Sequence, residues 1–300
     1  MIGLSSVYVG IILVMRVVQS CFSKKASILL PQELKGRIKY FSVSQMAAAG
    51  LALLSVLFMN ELTEIDLQTL VIATLSGVSL VLSSICGILA IQSGTIALNS
   101  MFGTAGLLVP CIAGIFLFHE PMSHLQWVGV LILFISAYLL VVSSKQTYAG
   151  FSKKTVLLLL GTFLFNGLTM LFQLIFSRFV PNGSVSMFSF LTFLIPGLAL
   201  TCILPFLKNQ KGEGDSEDSK LPKKLIYFSL LLAVAVFVIN QLATIASALL
   251  SPVILFAFIN GGGTVIATIV AAVMFHERIT LRSACGVVLG VASLIIIKAF

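Results

Sequence analysis

Long, almost uninterrupted apolar segments separated by short polar connections limit the possible folds of this chain more than any other feature. Each segment has about 20 residues, the length at which an α-helix crosses the hydrocarbon core of a bilayer. These runs lack the alternating pattern of barrel strands, so helices are the expected spanning elements. We therefore predict an all-α polytopic membrane protein with ten transmembrane helices. The expected spans are 2–22, 40–60, 68–91, 95–118, 124–143, 155–176, 184–207, 224–245, 250–275 and 280–299.

Charged residues are scarce along the whole chain. Only 9% of the 300 residues are charged and 59% are hydrophobic, whereas a soluble domain has about 25% charged residues. So few charges do not supply a water-facing surface, and the lipid bilayer is the expected surrounding. The net charge of +8 comes mainly from lysines and arginines in the connections. Such residues determine topology and contact anionic lipid headgroups, so we expect no nucleic-acid partner.

A short motif occurs twice and divides the chain into halves. Phe-His-Glu ends at Glu120 and again at Glu277, an offset of 277 − 120 = 157 residues. The same offset relates Gly106 to Gly263, Gly129 to Gly286, Ser136 to Ser293 and Ser123 to Thr280. We therefore predict a first five-helix repeat over 1–143, a linker over 144–154 and a second five-helix repeat over 155–300. Within the second repeat, the charged segment 208–223 has few apolar residues and is expected to be a flexible loop.

The distribution of positive charge predicts the orientation of the chain. Fifteen of the 18 lysines and arginines lie in four alternate connections, namely 23–39, 144–154, 208–224 and 276–282. The positive-inside rule assigns these connections to the cytoplasm of a protein in the cell (plasma) membrane. With ten spans, both termini are then outside. Because each repeat has an odd number of spans, the two repeats are predicted to be inverted, as in carriers that bind substrate at the bilayer midplane.

Both corners share a wider sequence context. In each half, an apolar run that contains Pro or Gly is followed by Phe-His-Glu and by a helix with a glycine, Gly129 or Gly286. This pattern resembles the repeat of EamA-like transporters in the drug/metabolite transporter superfamily. The segment from Asn240 to Val253 is similar to the passage between the third and fourth helices of that repeat. The resemblance implies a transporter, but it does not identify a substrate, because members move amino acids, nucleotide sugars, drugs and other metabolites. Many members are thought to keep both termini in the cytoplasm, and the loop charges here predict the reverse.

Arg16 is the one charged residue well inside an expected span. Charged side chains inside the membrane are costly and usually indicate a functional site. A cavity-facing Arg16 would bind a carboxylate or phosphate of an anionic or zwitterionic substrate with its planar fork. Gln19 follows one turn later on the same helix face, and the offset relates Arg16 to Gln173. The alternative is snorkelling, because the side chain is long and the basic end of its expected span is near.

Neutral polar side chains occur in the other spans. Each one alone is explained by hydrogen bonding between helices, which polar groups in lipid require. Because the set recurs in corresponding helices of both halves, the other interpretation is that it lines one polar cavity. The set comprises Gln45, Ser83, Ser84, Asn99, Asn166, Gln173, Asn240, Gln241 and Asn260. The predicted substrate-binding residues are Arg16, Gln19, Ser84, Asn99, Gln173, Asn240 and Gln241.

Glu120 and Glu277 lie at the ends of spans and have two interpretations. They stabilise helix corners next to predicted caps, a capping box from Ser123 to Gln126 and an equivalent cap at Thr280. Alternatively, they act as gates that pair with nearby basic groups. The predicted hinge or gate residues are Glu120, Glu277 and Gly262, the last within a triple glycine that is expected to loosen the ninth helix. Gly286-x-x-x-Gly290 is interpreted as a packing face or as the face of a possible homodimer.

Several kinds of chemistry lack their sequence signals. No acid occurs at mid-depth in any expected span, and there is no phosphate-binding loop, no metal-ligand spacing and no nucleophile–base pair. We expect no enzyme activity, no cofactor and no metal. The predicted function is secondary active or facilitative transport of a small polar metabolite, by alternating access between the two repeats. The alternatives are a multidrug or cation efflux carrier, and a non-transporting membrane scaffold or lipid-handling protein.

Overall fold

The computed structural model of the chain describes residues 2–30, 33–61, 66–92, 96–142, 152–207, 221–274 and 280–299. The described residues form helices and no strand, which confirms the all-α class. The α-helices are α1 Ile2–Leu29, α2 Leu34–Phe58, α3 Leu67–Gln92, α4 Ile96–Ala105, α5 Leu108–Phe118, α6 His124–Val142, α7 Lys153–Phe179, α8 Val185–Ile203, α9 Lys223–Ser247, α10 Pro252–Phe256, α11 Gly263–Met274 and α12 Leu281–Ala299. A 3₁₀ turn, Leu204–Phe206, follows α8, and a π-helical segment, Ala257–Gly262, joins α10 to α11.

The helices have the length and composition of membrane-spanning elements. Within the described residues, nine helical stretches are long and apolar enough to cross a membrane, and His124–Leu140 is a shorter apolar helix. Two of the nine stretches are interrupted: Leu98–Phe118 joins α4 to α5, and Pro252–Val270 joins α10 to α11. These features are compatible with a multi-pass membrane protein.

The first helix is longer than expected. The sequence predicts that this span ends at residue 22, but α1 continues to Leu29 because the intervening lysines and alanine are good helix formers. Arg16 is therefore near the midpoint of α1, thirteen residues before Leu29, which is about 20 Å at the helical rise.

The corner at Glu120 has the local structure that its sequence predicts. α5 ends at Phe118, and the C-cap residue His119 adopts a left-handed conformation with φ 52°. The capping box is confirmed: the Ser123 amide donates to Gln126 Oε1, and the Gln126 amide donates to Ser123 Oγ, both at 3.1 Å. In the second half, the Ser283 amide donates to Thr280 Oγ1 at 3.2 Å. Glu277 lies outside the described residues, as do 144–151 of the predicted linker and 208–220 of the predicted loop.

Helices of the first half pack mainly on helices of the second half. The most extensive contacts join α1 to α9, α2 to α8, α3 to α7 and α6 to α12. A central apolar core forms around these contacts and includes Ile12, Leu107, Leu174, Phe256 and Ile297. A cavity between the two halves is therefore lined by side chains from both of them.

Glycines allow α6 and α12 to approach closely. A Cβ at Gly129 would lie 2.7 Å from Ile297 Cγ1, and one at Gly286 would lie 2.8 Å from Leu140 Cδ2. Ser136 Oγ donates to the Gly286 carbonyl at 2.6 Å, and a Cβ at Gly290 would lie 2.8 Å from the same Ser136 Oγ. The Gly286-x-x-x-Gly290 face is thus packed within the chain, and a homodimer would have to use another surface.

The fourth apolar segment of each half departs from a regular α-helix. In the first half, the chain breaks at Gly106–Leu107, between α4 and α5, where Gly106 approaches the backbone of Gly167 on α7. In the second half, the π-helical segment includes Gly261 and Gly262. The helix is thus irregular at the triple glycine, and the predicted hinge role of Gly262 stays a prediction. A Cβ at Gly262 would lie 3.2 Å from Leu13 Cδ2, so this residue lies against α1.

Candidate functional site

Arg16 lies inside the bundle with its guanidinium held by a neighbour on the same helix. Nη1 donates to Gln19 Oε1 at 2.8 Å, one turn further along α1. The stem of Arg16 passes over Gly263 of α11, where a Cβ would lie 3.4 Å from Arg16 Cδ and 3.6 Å from Nε. Nε is buried and has no hydrogen-bond partner among the described residues. In the structure, the Arg16 side chain lies against α11 and faces the interior of the bundle.

Arg16 lines a central cavity of about 260 Å³ between the two halves. Four of the predicted substrate-binding residues lie on its wall: Arg16, Gln19, Gln173 and Asn240. The other polar lining residues are Gln45, Asn166, Thr169 and Asn260, and the apolar ones are Leu80, Met170, Phe193, Val236, Ile239, Ala243, Phe256 and Ile259. This wall therefore combines one cation, several neutral hydrogen-bonding groups and an apolar surface.

The amides of the second half are held in place by hydrogen bonds. Gln173 Nε2 donates to the Asn240 carbonyl at 3.1 Å and to Thr244 Oγ1 at 2.8 Å, which ties α7 to α9. Asn240 Oδ1 accepts a hydrogen bond from Ser189 Oγ of α8 at 2.9 Å. In this arrangement, the Gln173 side-chain oxygen and the Asn240 side-chain nitrogen are the atoms left for a ligand.

Gln241, also predicted to bind substrate, is not on the wall of the central cavity. Its Oε1 lies 2.9 Å from Ser189 Oγ and shares the single proton of that hydroxyl with Asn240 Oδ1, while its Nε2 donates to Ser186 Oγ at 3.2 Å and to Ser55 Oγ at 3.4 Å. These bonds join α9 to α8 and α2. Adjacent residues of an α-helix point about 100° apart, so Asn240 faces the cavity while Gln241 serves the contact between helices.

Ser84 and Asn99 line a second cavity, of about 250 Å³, rather than the one that contains Arg16. Thr162 Oγ1 donates to Asn99 Oδ1 at 3.0 Å, and Ser84 Oγ donates to the Leu80 carbonyl at 2.7 Å. Asn166 lines both cavities and donates from Nδ2 to the Gly103 carbonyl at 2.7 Å. The two cavities are therefore neighbours that share one side chain.

A third cavity continues this series to one end of the bundle. It has a volume of about 210 Å³ and lies where α1 ends and α2 begins, with Arg37 and Tyr40 on its wall. It shares Phe41, Ile88 and Ile91 with the second cavity. The series thus runs from the middle of the bundle to the end where the lysine-rich connections lie.

At the opposite end, Glu120 forms an ion pair with Arg178 of α7. Arg178 Nη2 lies 2.9 Å from Glu120 Oε1. Arg178 also donates from Nε to the Ser247 carbonyl at 2.9 Å and from Nη2 to the Leu250 carbonyl at 3.1 Å. The Phe118 ring lies 5.9 Å from this guanidinium. These contacts join the ends of α5, α7 and α9.

Three lining residues of the central cavity, Gln45, Asn166 and Asn260, were in the polar set but not among the predicted binding residues. Thr169 was in neither. The sequence does contain a signal for Asn166 and Thr169. Together with Met170 and Gln173, they follow the i, i+3, i+4, i+7 pattern of one face of α7. Asn260 lies in the π-helical segment, and its Nδ2 donates to the Phe256 carbonyl at 3.1 Å.

Comparisons with known proteins establish the fold and leave the activity open. No protein-family model matches the chain. An uncharacterized protein of Haemophilus influenzae is 24% identical over 189 residues, 63% of this chain and 61% of the relative, so the match spans less than two thirds of that protein. A solved structure, described only as the crystal structure of a protein, has a TM-score of 0.77 with 11% identity and covers 99% of this chain and 97% of its own. At that identity the likeness concerns the fold alone.

Proposed function

We propose that this chain is a secondary active or facilitative carrier of a small polar metabolite, of the EamA-like kind, in the cell membrane. The observation that carries the proposal is Arg16: a charged side chain at the midpoint of an apolar helix lines a cavity with amides from both halves. A cation inside a membrane is retained where it serves a substrate or ion pathway. The metabolite binds in this cavity, and the two halves expose it to one side of the membrane and then to the other.

The proposed architecture is ten spans in two inverted repeats, and two contacts related by the offset of 157 support the repeat. Ser136 bonds the Gly286 carbonyl, and a Cβ at Gly129 would lie 3.3 Å from the Ser293 carbonyl. Exchanging the halves turns one of these contacts into the other. Gly106 against α7 and Gly263 against α1 are related in the same way. Interrupted helices next to a central cavity are also usual in inverted-repeat carriers.

Alternating access requires one end of the path to be closed while the other is open. The ion pair of Glu120 with Arg178 ties three helix ends together at one face, and the series of cavities extends toward the other. We assign Glu120 and Arg178 to the gate of the first face. In the proposed orientation, the lysine-rich face is cytoplasmic, and the gate and both termini are outside.

The test of the proposal is flux through purified protein in proteoliposomes. Metabolites that stabilise the protein against heat are loaded on one side and measured on the other. Arg16→Ala is expected to abolish flux while the variant remains folded, because it removes the one charge of the described cavity wall. Lys298→Gln removes an exposed positive charge at the end of α12 and is the matched control. Undiminished flux in Arg16→Ala would contradict the assigned role.

A non-transporting scaffold predicts no flux of any metabolite in the same vesicles. An efflux carrier for organic cations predicts flux of cations, which the positive charge of Arg16 in the cavity opposes. The single experiment therefore separates the proposed carrier from both alternatives.

A further inference from the structure

Arg16 has no counter-charge within the described α-helices. The sequence contains ten acids, and none of them lies in the α-helices α1 to α12. Among the described residues, no carboxylate lies within salt-bridge distance of Arg16. A lone charge in a low-dielectric interior is costly, and pairing is what normally offsets that cost. In the carrier proposed above, on which this inference rests, the missing negative charge is one that the substrate brings.

The guanidinium has donors available for that substrate. Arg carries five N–H donors, and Gln19 accepts from Nη1 alone. Nε is buried against Gly263, so the donors left for a ligand are those of Nη2 and the second hydrogen of Nη1. A carboxylate matches the planar fork with two parallel hydrogen bonds, which are about twice as strong as neutral ones. Gln19 thus orients the fork without neutralising it.

The rest of the wall favours an uncharged body over a second charge. Gln173 and Asn240 offer neutral amide atoms, which bind hydroxyl or carbonyl groups and do not neutralise an ammonium. Leu80, Phe193 and Phe256 supply an apolar surface. A zwitterion would leave the site with one net positive charge. A phosphate monoester carries about −1.5 to −2 at neutral pH and would overcompensate Arg16.

We propose that the central cavity selects organic monoanions, with a carboxylate on Arg16 and an uncharged, partly apolar body against the amides and the apolar wall. Zwitterions, cations and neutral analogues of the same shape bind more weakly. Nothing in this assignment depends on the gate at Glu120, so the substrate class and the transport cycle are tested separately.

The test uses two matched sets of small molecules on the purified full-length protein. The first set is 4-methylpentanoate, leucine, 4-methylpentanamide and 3-methylbutylamine, and the second is the corresponding set with a benzyl group. Dissociation constants are measured by calorimetry, and melting temperatures by a thermal-shift assay. The two monoanions, 4-methylpentanoate and its benzyl counterpart, are expected to bind more tightly than the other members of their sets by about tenfold or more. This difference corresponds to one charge-assisted hydrogen bond.

Three variants assign that preference to Arg16. Arg16→Gln is expected to weaken carboxylate binding about tenfold or more, while Arg16→Lys keeps the charge, loses the fork and gives an intermediate loss. Lys298→Gln should bind like the unmodified protein. If Arg16→Gln does not fold, the ranking within each set on the unmodified protein and the Arg16→Lys result still decide the matter. Tighter binding of leucine or of an amine, unchanged carboxylate binding in both Arg16 variants, or no carboxylate binding would overturn the inference.

Flux measurements distinguish this inference from the proposed function. If carboxylates bind through Arg16 but do not cross proteoliposomes, the site stands and the carrier proposal fails. If amino acids or amines cross while carboxylates do not bind, transport stands and the monoanion assignment fails.

Discussion

At the scale of single residues, a substitution at Gln19 tests whether Arg16 needs a negative partner. Gln19 Oε1 lies 2.8 Å from Arg16 Nη1. Gln19→Glu keeps the shape and the acceptor but adds the carboxylate that the helices lack. We expect the variant to melt at a temperature no lower than that of the original protein, because the internal ion pair offsets the buried charge. Substrate affinity should fall about tenfold or more, since the fork is occupied from within.

A matched control for this change lies at the start of α3. Gln68 is exposed there, near a helix N-terminus where a negative charge is tolerated. Gln68→Glu should leave both flux and binding unchanged. Full transport by the Gln19→Glu variant would show that the substrate does not use the guanidinium.

At the scale of helices, the packing of α6 on α12 depends on the absence of a β carbon at Gly286. An added Cβ would meet Leu140 Cδ2 at 2.8 Å and the Leu140 backbone nitrogen at 3.3 Å. We expect Gly286→Ala to destabilise the protein by about 1–3 kcal/mol, the usual cost of overpacking. The measurement is thermal or denaturant unfolding in detergent.

Gly50→Ala is the corresponding control. Gly50 is exposed in the middle of α2, and a Cβ there meets nothing within 4 Å. Alanine is favoured over glycine inside a helix by about 1 kcal/mol, so this variant should be as stable as the original or more stable. Equal losses in both variants would show that the close α6–α12 contact contributes nothing specific.

Helix positions were predictable from the sequence, but the faces of the helices only partly. Apolar runs and the Ser123–Gln126 capping box determine where helices begin and end, because these signals are local. The cavity wall depends on which helices of the two halves meet. Ser84 and Asn99 lie in a neighbouring cavity for that reason, and Gln241 faces α8 and α2 although Asn240 beside it faces the cavity. Single residues do not reveal which helices meet. The spacing of polar residues on α7 does reveal which face of that helix lines the cavity.

At the scale of the whole molecule, the contact of Glu120 with Arg178 holds one end of the bundle together. Removing the charge in Glu120→Gln should weaken the junction of α5, α7 and α9 and favour the state that is open at that end. A reporter cysteine at Ser247, which is fully buried, would then react several-fold faster with a membrane-impermeant thiol reagent. Lys298→Gln in the same background is the charge control. Unchanged labelling would mean that the ion pair is a static corner rather than a gate.

The proposed orientation of the whole molecule has a separate test. Lys298, in the last turn of α12, should react with an impermeant amine reagent added to intact cells. Lys24, near the end of α1 that faces the lysine-rich connections, should react only after the membrane is made permeable. Strong labelling of Lys24 from outside would reverse the assignment of the two faces.

The lone guanidinium at the middle of α1 also ties the transport cycle to voltage. If the substrate is a monoanion, the loaded carrier has a neutral centre, and its transition between the two faces moves no net charge. The empty carrier retains one positive charge while access changes from one face to the other, so that charge experiences the transmembrane field. Each elementary charge moved through 100 mV corresponds to about 2.3 kcal/mol. Membrane potential would then control the return of the empty carrier, and with it the direction in which a cell can run the exchange.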